Sequence, residues 1–252
     1  MRINIRVWAL FLCSASAAIP ALAHDVVEDE KKGPWSGDYA LGYLASSGNT
    51  DDSSLTIDVK TGYDLDAWHH LLKGKAFTAS KNSESTSENY QAGWKTSYDL
   101  STYNYIFGAL DWNKDRFSSY TRQTFLTSGY GRRILTSKRF ILNAEIGAGY
   151  TKQRAIISDT EFETLKENQD GGLVRVGGDF TWNISENASF GQTLSIFHSS
   201  DNTRTESVSS VKAGLIGNVG LVFSYTVQNN SDVAPGIDKT DTYTSVALNY
   251  AF

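Results

Sequence analysis

The chain predicts an all-β fold: a transmembrane antiparallel β-barrel of about twelve strands, of the outer-membrane type. Three observations carry this reading. Apolar residues recur at every second position in stretch after stretch, polar connections alternate between short and long, and the last residue is the aromatic Phe252 on one such stretch. Period two sends successive side chains to opposite faces of a strand, so each stretch has one apolar and one mostly polar face. In a soluble sandwich the apolar face would look into a core, whereas in a membrane barrel it looks out into lipid.

The chain starts with a different signal. Arg2 and Arg6 precede the apolar run Val7 to Cys13, and small residues close on Ala21-Leu22-Ala23. That pattern predicts a secretory signal peptide over 1–23, cleaved after Ala23, then a short periplasmic N-terminal segment over 24–34 and the barrel over 35–252. Cys13, the one cysteine, leaves with the signal, which excludes disulfides and thiolate chemistry from the mature chain. Losing Arg2 and Arg6 also deepens the formal charge of −5, so the balance points to no nucleic-acid partner. No apolar run after Ala23 approaches the ~20 residues of a membrane helix. Mean hydropathy is negative, but an average is blind to a lipid face made of alternate residues.

Seven strands are clear. Trp35, Tyr39, Leu41 and Tyr43 define the first, and Leu55, Ile57, Val59, Tyr63 and Leu65 the second. Tyr90, Ala92, Trp94, Tyr98 and Leu100 follow, then Phe140, Leu142, Ala144, Ile146, Ala148 and Tyr150. Val174, Val176, Phe180, Trp182 and Ile184 make another; Leu221, Phe223, Tyr225 and Val227 precede the terminal strand. Weaker strands lie around 69–80, 103–113, 120–134, 188–199 and 205–217, where both faces are mixed. Tight connections at 66–69, 100–103, 136–138, 185–187 and 217–218 alternate with long polar ones at 46–54, 80–88, 113–120, 152–170, 199–205 and 229–239. Short turns on one rim and long loops on the other match the outer-membrane arrangement. Trp35, Trp68, Trp94, Tyr98, Trp112, Tyr150 and Trp182 suit the aromatic girdles at the two interfaces.

Three stretches carry a narrower likeness: "GYLASSGNTDDSSL" (42–55), "DWNKDRFSSY" (111–120) and "APGIDKTDTYTSVALNYAF" (234–252). On these the chain resembles domain-of-unknown-function family 481, whose members carry the label salt-induced outer membrane protein. The resemblance implies a barrel in the outer membrane of a Gram-negative bacterium. It implies no catalytic residue, cofactor or ligand. Val246, Leu248, Tyr250 and Phe252 likewise resemble the terminal signal by which outer-membrane proteins meet the barrel-assembly machinery.

Sorting strands by face sends Asp38, Asp58, Asp64, Asp99, Glu145, Asp179 and Asp241 inward with Lys60, Lys73, Lys75, Lys95, Arg175 and Lys212. Seven acids against six bases nearly cancel. Two outcomes stand level: a small, weakly selective pore for small solutes or ions, or opposite charges pairing across the lumen in an envelope or osmotic-stress structural protein. A rival of another class starts at "FHSSDNT" (197–203). His198 and Ser200, two apart on a predicted strand, share its apolar face and resemble the His-x-Ser pair of outer-membrane phospholipase, with His198 as base and Ser200 as nucleophile. Here Asp-Asn-Thr follows instead of that family's Asn-Gly, and no third residue stands out to orient the imidazole. Asp51 and Asp52, or Asp159, Glu161 and Glu163, match no calcium-loop spacing, and His69 and His70 point to opposite faces, so no metal or cofactor is expected. The partners expected are outer-membrane lipid and the assembly machinery.

Overall fold

The computed structural model describes residues 33–46, 52–159 and 164–252, the side chains of 157–159 and 164–166 excepted. The predicted signal peptide, nearly all of the 24–34 segment, the "SGNT" stretch with Asp51, and Glu161 and Glu163 lie outside the described residues.

Twelve strands form in chain order: β1 (Trp35–Ser46), β2 (Asp52–Leu65), β3 (Trp68–Lys81), β4 (Glu84–Asp99), β5 (Asn104–Asp115), β6 (Tyr120–Thr136), β7 (Phe140–Asp159), β8 (Thr164–Ser185), β9 (Ala188–Ser199), β10 (Thr203–Ile216), β11 (Val219–Asn230) and β12 (Thr240–Ala251). Each pairs antiparallel with its chain neighbours, and β12 pairs with β1, closing the ring. Closure joins the two end strands of the sheet over Asp38–Leu41 and Leu248–Ala251, so the paired part of the ring satisfies its backbone groups internally, as a sheet in hydrocarbon must.

The burial pattern is that of a soluble protein turned inside out. Leu126 is 61% exposed while its neighbour Thr127 is 3% exposed, and Ile146 at 60% adjoins Glu145 at 7%. Leu41, Leu72, Val176 and Leu248 also stand on the exposed apolar face. Small residues let the strands close up: a Cβ on Gly149 would lie 1.9 Å from the Leu126 carbonyl oxygen. The β1–β12 seam is short, with Asp38 to Leu41 facing Ala251 to Leu248. Phe252 continues it, exchanging backbone hydrogen bonds of 3.0 Å with Gly37 in both directions. Its ring occupies the space that a Cβ on Gly37 would take and packs edge-on against Tyr39 at 5.6 Å.

Two of the expected long loops are instead strand. The 80–88 stretch pairs almost throughout, turning on Asn82 and Ser83 at φ 49° and 66°, the left-handed pair of a tight hairpin. Similarly, β7 and β8 run on for 20 and 22 residues, through most of 152–170. A barrel strand needs only about 9–11 residues to cross a bilayer, so these hairpins continue well beyond it. Their polar residues read as loop because no apolar face is needed there, but their backbone groups still pair best with each other.

Candidate functional site

Pairing partners share a face, so the register carries inside and outside around the whole ring. Asp38, Asp58, Lys60, Asp64, Lys73, Lys75, Lys95, Asp99, Glu145, Arg175, Asp179, Lys212 and Asp241 all stand on the interior face. The poorly patterned strands add Asp111, Asp115 and Glu206 with Arg133 and Arg204, which period-two reading alone did not place. Together these lists make ten acids and eight bases. The same strands turn Tyr105, Phe107, Phe125 and Phe197 inward, where all four are buried. An inward apolar residue destroys the alternation on its strand, which is why these strands read as mixed.

Toward the long-loop rim, side chains meet through the middle of the bore. β4 and β10 are diametrically opposite in the ring, yet Gln91 Nε2 donates to Glu206 Oε2 at 3.1 Å. Gln123 on β6, fully buried, donates to Gln153 Oε1 at 2.7 Å and Asn230 Oδ1 at 3.3 Å and accepts from Arg204 Nη1 at 2.8 Å. Asn89 on β4 donates to Asp115 Oδ2 at 2.8 Å and Gln228 Oε1 at 3.4 Å. The Tyr243 hydroxyl on β12 donates to Asp115 Oδ2 at 2.9 Å, and Lys75 on β3 donates to Thr226 Oγ1 on β11 at 3.0 Å. Carboxamides suit this because each both donates and accepts, so a ring of them can satisfy itself. Above them the 231–239 connection leans over the mouth: the Ala234 N–H donates to Ser119 Oγ at 3.0 Å, joining the β11–β12 loop to the β5–β6 loop on the far side.

Below this layer lies a cavity of about 420 Å³. On the β4–β9 side it is walled by buried ions and rings. Glu145 accepts from Lys95, from Arg175 Nη2 at 3.3 Å and from the Tyr105 hydroxyl at 2.8 Å. The Arg175 guanidinium lies over Phe107 at 5.1 Å and Phe197 at 5.5 Å, and Phe197 stacks on Phe125 at 4.3 Å. On the β2–β3 side stand Lys60 and Lys73, directly opposite each other across the pair. Toward the rim that carries the chain ends the interior is wetter, with the Lys60 side chain 50% and the Asp64 side chain 64% exposed. There His69 bridges Asp64 at 2.7 Å and Asp99 at 3.1 Å, Arg133 reaches Asp99 at 2.7 Å, and Lys212 pairs with Asp38.

Among the described residues no hydrogen bond joins His198 to Ser200. β9 ends at Ser199, so Ser200 sits in the following bend rather than two residues along the strand, and His198 Nδ1 bonds Thr203 Oγ1 at 2.7 Å. Ser200, Asp201 and Asn202 make that connection, with Asn202 Nδ2 donating inward to Asn230 Oδ1 at 2.9 Å, and Thr203 begins β10 opposite His198. His69 faces the bore, while His70 faces outward against Trp68. Val246, Leu248 and Tyr250 lie on the outer face of β12.

The family model described as "Protein of unknown function, DUF481" matches residues 39–252. The chain belongs to this family. It is 34% identical over 243 residues, covering 94% of this chain and 92% of the relative, to "Uncharacterized protein YdiY" of Escherichia coli (strain K12). Among solved structures it is similar to the NanC porin, at 14% identity and a TM-score of 0.47 over 86% of this chain and 98% of that one. It is also similar to the translocator domain of the autotransporter NalP from Neisseria meningitidis, at 10% identity and a TM-score of 0.48 over 89% and 90% of the two chains. Likeness at that level bears on no residue of the bore.

Proposed function

We propose that this protein is an outer-membrane barrel closed on the side of its long connections, holding a hydrated chamber that faces the rim of its chain ends. In this conformation it is not a continuous pore, and any passage of small solutes needs the outer layer to rearrange. The observation that carries the reading is the set of hydrogen bonds joining opposite walls above the chamber, from Gln91 to Glu206 and from Gln123 to Asn230.

The outer surface supports the membrane reading. Lys114, Arg122, Lys152 and Arg154 stand on the outward face of β5–β7, with Lys114 opposite Arg122 and Arg122 opposite Arg154. Trp112 and Tyr150 lie one same-face step nearer the barrel middle. Rings at the interface with cations just beyond them fit a bilayer whose headgroups carry phosphate. Chain ends and short turns then face the periplasm. Export by the 1–23 signal and delivery to the barrel-assembly machinery through Val246, Leu248, Tyr250 and Phe252 complete this reading.

Planar-bilayer recording of the refolded protein tests it. The expected result is a barrel that inserts, shown by faster gel migration before boiling than after, yet stays mostly non-conducting. Stable ion-conducting steps from the unmodified protein would overturn closure. Ester hydrolysis lost on Ser200→Ala would instead revive the phospholipase reading.

A further inference from the structure

The geometry points to a binding site for a small doubly charged oxyanion, of the phosphate or dicarboxylate kind, on the β2–β3 wall of the chamber. This inference rests on the reading above only in taking the chamber to be reached from the rim of the chain ends.

Charge lining the chamber, five carboxylates against six cations, nearly balances in number but is separated in space. The carboxylates of the far wall are engaged: Glu145 by Lys95 and Arg175, Asp111 by Arg175 at 3.5 Å, Glu206 by Arg204 at 3.1 Å. Asp179 accepts from Asn143 Nδ2 at 2.7 Å. The near wall has Lys60, Lys73 and Lys75, with Asp58 as its one carboxylate, 3.9 Å from Lys60. Lys75 spends its ammonium on Thr226, and Lys73 has no ion-pair partner among the described residues. Like charges directly opposite on paired strands repel, and here Lys60 and Lys73 hold that relation inside the bore.

A second observation is independent of these lysines. Arg175 Nε and Asn113 Nδ2 both belong to residues lining the chamber, both residues are more than nine-tenths buried, and neither atom has a hydrogen-bond partner among the described residues. Both atoms are donors on the wall facing the lysines. Asp111 Oδ2, which also lines the chamber, likewise lacks a hydrogen-bond partner among the described residues but lies 3.5 Å from Arg175 Nη1, so the two groups left wanting are of the kind an oxyanion satisfies. Two surplus ammoniums set the charge at about −2, and the cavity of about 420 Å³ takes a small molecule and some water rather than a chain of sugars.

Thiol labelling of the refolded full-length chain tests the site. Leu71 precedes Lys73 on the same face of β3 and lines the chamber, so Leu71→Cys with Cys13→Ser puts one reporter beside the lysines. A methanethiosulfonate bearing sulfonate should react about tenfold faster than its trimethylammonium counterpart at low salt. Inorganic phosphate or succinate at fixed ionic strength should slow that reaction, and whichever acts at lower concentration names the kind of anion. Adding Lys60→Gln and Lys73→Gln should abolish both effects. Thr193→Cys, on the facing wall, serves if Leu71→Cys fails to fold. Equal rates for the two reagents, a faster cationic reagent, failure of both anions to compete, or effects that survive the double substitution would overturn the site. So would a reporter that neither reagent reaches. Open conductance with the anion preference intact would sink closure alone.

Discussion

The outer layer of the bore and the chamber beneath it bury polar side chains in different ways. In the outer layer Gln123, Asn89, Gln153, Asn202, Gln228 and Asn230 satisfy one another, and the few charges among them, Asp115, Arg204 and Glu206, are tied into the same network. In the chamber the far wall is ionic, with Lys95 and Arg175 sharing the Glu145 carboxylate, while the near wall keeps cations in excess. A carboxamide is its own complement, so a layer of them closes without any other molecule. A cation is not, and a wall left with two of them needs counter-charge from solution. The same interior therefore holds one region that is complete in itself and one that is not.

Glu145→Leu strikes the paired wall and should have the largest effect. It leaves Lys95 and Arg175 without their shared carboxylate, and removing one partner of a buried ion pair costs about 3–5 kcal/mol. Denaturant unfolding in lipid vesicles measures it, and a loss below ~1 kcal/mol would mean that water reaches Glu145. Gln123→Leu comes next. It strands the Arg204, Gln153 and Asn230 groups that Gln123 serves, a loss of about 2 kcal/mol, and it should turn a silent barrel into one with conductance bursts. Unchanged silence would show that the mouth is shut elsewhere.

Two milder changes sharpen the contrast. Deleting 233–237 removes the loop that rests on Ser119 but none of the carboxamide layer, so bursts should lengthen only when it is combined with Gln123→Leu, while stability moves by less than ~1 kcal/mol. Bursts from the deletion alone would make the loop the main barrier. Lys73→Met should change stability least, by about 0.5 kcal/mol or less and in the favourable direction, because it relieves the repulsion from Lys60. The gain should shrink as salt is raised. A clear loss would mean that Lys73 already has a partner in the folded barrel.

The interior charges named from the clear strands could be assigned to a face because those strands alternate cleanly: once Leu55, Ile57 and Val59 face lipid, Asp58 and Lys60 face inward. Asp111, Asp115, Arg204 and Glu206 were less legible. β5 and β10 carry apolar or uncharged residues on both faces, and only the register with β4, β9 and β11 says which way they point. Whether Ser200 continues β9 depends on where the chain turns, and β9 ends at Ser199, one residue short of it. The sequence reads as seven interior acids against six bases, and a number of that kind carries no positions.

The sequence by itself determined the clearly alternating strands, their faces and the antiparallel order of neighbours, because period two and tight turns are local properties of the chain. Only the tertiary structure decided that Gln91 meets Glu206 and Gln123 meets Asn230, that 231–239 crosses to Ser119, and that Lys60 and Lys73 are left opposite each other. The first three contacts join strands or loops far apart in the chain, set by the stagger with which the sheet closes on itself, while the lysine pair follows from the register of the β2–β3 hairpin. Closure is a property of the whole ring, to which each strand contributes a small tilt, and no single stretch of residues encodes it.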